Sequence, residues 1–117
     1  MTRPTREQVL MTTAHIWAER STCDRMHVGC VIDFDGRILT TGYNGAPAGM
    51  EHCNHNCTCN VEGTPPHADD CRSVPPCRIA VHAEANAVAF AARYGIPLGG
   101  ARLFTTMAPC YACSQLI

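Results

Sequence analysis

The chain has 117 residues and a formal net charge of −1, the size of one compact domain with a single core. Hydrophobic residues make up 46% and charged residues 16%, which excludes a disordered chain. Nine arginines and no lysine against ten acids leave no basic patch for nucleic acid, and no apolar run reaches the length of a membrane span. No basic-apolar leader opens the chain, yet nine cysteines stand among six histidines. Without an oxidising address an odd, histidine-rich cysteine set points to metal binding or catalysis. An intracellular, cytoplasmic metalloprotein with neither nucleic acid nor membrane as partner is expected.

Behind Pro4, Thr5-Arg6-Glu7-Gln8 reads as a capping box opening a helix to about Ser21, with Val9, Leu10, Thr13, Ile16 and Trp17 as its packing stripe. Val28 to Phe34 is a β-branched run, Asp35-Gly36 a two-residue hairpin turn, and Arg37 to Gly42 the return strand. From Tyr43 to Cys77 no period is visible. Such a loop inside a small domain implies function or cross-linking, and it carries Cys53, Cys57, Cys59, Cys71, Cys77, His52, His55 and His67. An alanine-rich helix follows from about Ala80 to Tyr94, apolar on most faces and so expected to be buried, with Gly95 closing it and Pro97 beyond. Ala101 to Thr106 is a third strand, and Pro109 suits the first position of a last helix.

His82-Ala83-Glu84 opens the alanine-rich helix, and Pro109-Cys110-Tyr111-Ala112-Cys113 opens the last one. Together they are similar to the H-x-E…P-C-x-x-C signature of zinc nucleobase deaminases, which assigns His82, Cys110 and Cys113 to a catalytic zinc and Glu84 to proton transfer. The chemistry of the residues agrees. Two cysteines three apart share one helix face, and a helix N-terminus favours thiolates. Three protein ligands leave the fourth tetrahedral position to water, whose pKa zinc lowers to roughly 7. Glu84, two residues from His82, cannot point the same way on an ideal helix, and so suits a general base rather than a ligand.

A wider resemblance is carried by His82-Ala83-Glu84-Ala85-Asn86-Ala87, by Thr41 to Gly49 (TGYNGAPAG), by Arg20-Ser21-Thr22-Cys23 and by Phe90-Ala91-Ala92-Arg93. From about Val9 onward the chain resembles the deoxycytidylate (dCMP) deaminases of the cytidine deaminase superfamily. The resemblance implies an α/β fold, a three-layer α/β/α sandwich on a mixed sheet, and hydrolysis of dCMP to dUMP with loss of ammonia. It also implies a homo-oligomer, hexamer or dimer, with dCTP and dTTP as effectors. It places Asn44 against the substrate sugar, the backbone at Ala83 against the pyrimidine, and Phe90 to Arg93 near subunit and effector contacts. Relatives continue past P-C-x-x-C into more helix and two more strands. The present residues are therefore expected to form one apparently C-terminally truncated domain, with three strands and an open apolar edge.

Several relatives carry a second, structural zinc. The resemblance suggests Cys23, Cys53, Cys71 and Cys77 as its ligands here, with Cys57, Cys59, His52, His55 and His67 as possible substitutes, tying down the insertion over 43–77. Cys30 reads as a plain core residue, and His15 and His27 as structural. Arg25 and Arg78 are candidates for the substrate phosphate, alongside a solvated surface role. A tRNA adenosine deaminase and a free-nucleoside cytidine deaminase share the zinc motif. The missing basic tract opposes the first, and the G-Y-N-G-x-P block together with the second cysteine cluster opposes the other. A non-enzymatic zinc module would need Glu84 to be dispensable.

Overall fold

The computed structural model describes residues 2–23, 26–50 and 80–117. Within them the order is α1 (Arg6–Ala18), β1 (Gly29–Phe34), β2 (Arg37–Tyr43), α2 (Ala83–Tyr94), β3 (Arg102–Thr105) and α3 (Tyr111–Leu116). The strands form one sheet in the order β2-β1-β3, and both pairings are antiparallel. The three expected strands are present. A mixed sheet also needs a parallel pair, and the described strands contain none. The outer edge of β3 has no partner among them.

The capping box forms as expected. Thr5 N–H donates to Gln8 Oε1 at 2.8 Å, and Gln8 N–H to Thr5 Oγ1 at 3.1 Å. The helix closes earlier than Ser21 because its last bonds tighten. Glu19, Arg20 and Ser21 donate to the carbonyls of Ile16, Trp17 and Ala18, three residues back. Of the expected packing stripe only Leu10 is buried. Leu10, Ala14 and Ala18 are buried, whereas Val9 and Ile16 are exposed and Trp17 lies flat against Tyr43 with ring centroids 6.1 Å apart.

Backbone geometry decides that face. A Cβ on Gly29 would overlap the Ala14 carbonyl and lie 2.6 Å from Ala18 N, so α1 rests its alanines directly on β1. Gly42 does the same for α2 on the opposite face of the sheet, beneath Ala83 and Ala87. The hairpin turn is as read: Asp35 and Gly36 both have positive φ, 52° and 80°, the two-residue turn whose twist matches the strands.

Alternation along β1 divides the core into the layers of an α/β/α sandwich. Val31 packs with Leu10 and Ala14 of α1, while Cys30 and Ile32 pack with Ala83 and Ala87 of α2. Asp33 lies on the α1 side, fully buried, and its two oxygens accept from Arg102 Nε and Nη2 at 3.2 and 2.9 Å. Arg102 also donates to Glu7 at 3.1 Å, joining β1, β3 and the start of α1. The guanidinium holds the Asp33 carboxyl below its ordinary range.

Only one side of α2 is buried: Ala83, Glu84, Ala87 and Ala91 face the sheet, while Phe90 and Tyr94 are exposed. The expectation of a helix buried on most faces fails because no described element covers its outer side.

Gly42→Ala is expected to destabilise the fold by about 1–3 kcal/mol, since the added methyl must push α2 off β2. Activity should fall further than stability, because α2 carries Ala83 and Glu84. Denaturant unfolding alongside turnover measures both.

Candidate active site

The first turns of α2 and α3 meet at the end of the sheet. His82 is the N-cap of α2, in an extended conformation (φ −69°, ψ 151°), and its side chain makes no capping bond to the helix. The ring turns instead toward two thiols. His82 Nδ1 lies 3.3 Å from Cys110 Sγ and 3.4 Å from Cys113 Sγ, and the three ligand atoms fall within 4.8 Å of one another. A tetrahedral zinc with Zn–S of roughly 2.3 Å and Zn–N of roughly 2.0 Å would set each sulfur about 3.5 Å from the nitrogen, so this donor set fits the ion. Among the described residues it is the one cluster of three metal-binding side chains.

The helix registers differ from expectation in an instructive way. Helix α3 begins one residue after Cys110, not at Pro109, and Cys110 is its N-cap, with Sγ accepting from Cys113 N–H at 3.4 Å. That backbone bond pulls the Cys110 thiol below its ordinary range. Cys113 goes the other way: burial, reinforced by Cys110 and by the Glu84 charge, pushes it up to about 11. The two thiols at the start of α3 therefore shift in opposite directions, Cys110 through the backbone bond it accepts and Cys113 through its burial.

Zinc binding therefore has to displace the Cys113 proton. Affinity should rise with pH, and at pH 7 at least one proton should leave per ion bound. Calorimetry in buffers of different ionisation heat reads that number. A value near zero would contradict the assigned ligand pair.

Glu84 is 4% exposed and lines the same cavity as His82. The ideal-helix argument does not apply, because His82 lies before the helix in extended backbone. Its conclusion survives, since Glu84 is not one of the three clustered ligands. Thr105 Oγ1 donates to Glu84 Oε1 at 2.8 Å. Sequence reading missed Thr105, which looked like one of two strand threonines. Cys30 is a core residue as read: fully buried, with its Sγ donating to the Ala83 carbonyl at 3.3 Å. Burial, with Glu84 and Cys113 nearby, pushes its thiol up to about 12, so it stays protonated beside the site.

The cavity, about 230 Å³, is walled by Ala83, His82, Glu84, Asn44, Met26 and Met107, among others. Ala83 and Glu84 are the first residues of α2, where backbone N–H groups have no helical partner. Asn44 is buried and holds the segment before β1: its Oδ1 accepts from Val28 N–H at 2.9 Å, and its Nδ2 donates to the Met26 carbonyl at 2.7 Å. One amide hydrogen and one lone pair are left over for a ligand. Asn86 Nδ2 donates to the Tyr43 carbonyl at 2.8 Å, and Gly45 pairs with Val81, so the turn before His82 is tied to the end of β2.

Cys23 is buried at the cavity wall. Cys53, Cys71 and Cys77, the substitutes Cys57, Cys59, His52, His55 and His67, and the arginines Arg25 and Arg78 lie outside the described residues. His15 and His27 are exposed and belong to no cluster of metal-binding side chains among the described residues. No described helix is long and apolar enough to cross a membrane.

Residues 4–117 match the model of the cytidine and deoxycytidylate deaminase zinc-binding region. The deoxycytidylate deaminase of Mycobacterium phage D29 is 44% identical over all 117 residues, which span 89% of that protein. ComE operon protein 2 of Bacillus subtilis (strain 168) is 36% identical over the same residues, 56% of its length. The crystal structure of dCMP deaminase from cyanophage S-TIM5 in complex with dCMP and dUMP superposes with a TM-score of 0.74. Its identity is 32%, with 99% of the present chain and 75% of that one covered.

Proposed function

The chain belongs to the cytidine and deoxycytidylate deaminase zinc-binding family, and from that premise we infer that it hydrolyses dCMP to dUMP with release of ammonia. The observation that carries this reading is the buried Glu84 carboxylate in one cavity with His82, Cys110 and Cys113. The likeness to a deaminase solved with dCMP and dUMP favours dCMP over other cytosine compounds.

His82, Cys110 and Cys113 would hold the ion, which when bound supplies Lewis-acid activation of water at neutral pH. Glu84 would take a proton from the attacking water as its oxygen bonds to C4 of the cytosine, deliver it to ring N3, and carry the water's second proton to the amino nitrogen as the C4–N bond breaks. The overall balance is dCMP plus water to dUMP plus ammonia. The free N–H groups at Ala83 and Glu84 lie where they can bind the pyrimidine, and the spare amide hydrogen of Asn44 suits a sugar hydroxyl. Met26 and Met107 give the ring apolar walls. Arg25, which follows the Arg20-Ser21-Thr22-Cys23 block, and Arg78, which precedes His82 in the chain, are the candidates for the phosphate.

The proposal extends to a second, structural zinc on Cys23, Cys53, Cys71 and Cys77; the buried Cys23 thiol at the cavity wall supports it, and two zinc ions per chain are expected. It extends also to a cytoplasmic homo-oligomer, hexamer or dimer, under dCTP and dTTP control. The exposed Phe90 and Tyr94 rings, 4.6 Å apart with Arg93 over Tyr94, suit a subunit contact.

The test is metal-stripped and zinc-restored protein supplied with dCMP. Restored protein should yield dUMP and ammonia one to one, and stripped protein neither. Equal activity in both forms would refute the assignment.

A further inference from the structure

A carboxylate as deeply placed as Glu84 keeps one direction only if a partner holds it. Among the described residues, Thr105 is the side chain that does so. The sheet puts it there. Thr105 pairs with Cys30 and Leu103 with Ile32, so both face α2, whereas Phe104 pairs with Val31 and faces α1. Thr106 is already engaged, its Oγ1 accepting from Gly29 N–H at 3.1 Å.

The Thr105 hydroxyl also lies 2.9 Å from the Met107 carbonyl, and Met107 N–H approaches it at 3.4 Å. One hydroxyl proton thus faces two acceptors, and a charged carboxylate outcompetes a neutral carbonyl for it. The threonine is clamped between Glu84 and the cavity-lining Met107, three residues before Cys110.

We propose that Thr105 is a positioning residue for the deaminase centre: its hydroxyl anchors Oε1 of Glu84 and leaves Oε2 to carry protons. This rests on the reading of Glu84 given above. The substitutions that test it are Thr105→Val, which keeps the shape and removes the hydroxyl, and Thr105→Ser, which keeps the hydroxyl.

Thr105→Val should lower kcat for dCMP by about 10- to 100-fold, with KM within about twofold and zinc content unchanged; Thr105→Ser should recover most of the loss. In crystals of the zinc-free proteins, the Glu84 carboxylate should keep its place in wild type and Thr105→Ser, and leave it in Thr105→Val. A carboxylate that does not move in Thr105→Val overturns the proposal. So does an unchanged kcat, or a Thr105→Ser variant as impaired as Thr105→Val. If wild-type protein proves inactive on dCMP, the functional reading fails, and the crystallographic comparison alone still decides what Thr105 does.

Discussion

Glu84→Gln is expected to lower kcat for dCMP by about 10³-fold, equivalent to about 4 kcal/mol of barrier, with zinc content retained. Glutamine fills the same space and its Oε1 can still accept from Thr105, so the fold should not notice the change. What it loses is the capacity to take a proton and give it back. Glu84 is not one of the clustered ligands, so the metal should stay. Turnover, metal analysis and thermal unfolding on one preparation check all three statements. A fully active Glu84→Gln protein would leave the zinc-module alternative standing.

The second large effect is loss of a ligand. Cys110→Ala is expected to weaken zinc binding by more than about 100-fold and to remove activity with it. The damage should reach beyond the metal, because Cys110 Sγ caps α3 by accepting from Cys113 N–H. Cys110→Ser supplies a capping oxygen without a thiolate, and so should preserve α3 while still losing zinc. Metal titration of the two variants, with unfolding curves, separates capping from coordination. Tight zinc binding by Cys110→Ala would contradict the ligand set.

What was legible in the sequence was local chemistry. The capping box at Thr5 and Gln8, the turn at Asp35-Gly36, and the grouping of His82, Cys110 and Cys113 each depend on residues close in sequence or on a motif with fixed roles. What was not legible depends on pairing. Ala14 and Ala18 join Leu10 in the buried face of α1 because Gly29 lets the helix backbone approach, a fact that belongs to two elements at once. Helical spacing placed Val9 and Ile16 on the packing stripe, and both are exposed. Thr105 and Thr106 are indistinguishable until the register with β1 turns one toward Glu84 and the other toward Gly29. His82 and Cys110 were expected inside their helices, and as N-caps they aim their side chains at each other.

The opposite shifts of the two cysteines have different causes, an accepted backbone bond at Cys110 and burial at Cys113. Proximity to a helix start is visible in a sequence, whereas depth of burial is not, and burial decides Cys113. Exposure of Phe90 and Tyr94 was likewise hidden, because an alanine-rich helix does not reveal how many of its faces meet a partner.

The central claim is tested most directly by competition. Zinc-loaded protein is given equal amounts of dCMP, CMP, deoxycytidine, cytidine and dCTP, and conversion to the uracil forms is followed by chromatography. Preferential loss of dCMP is the predicted result. Preferential loss of any other member would keep the zinc chemistry and contradict the substrate.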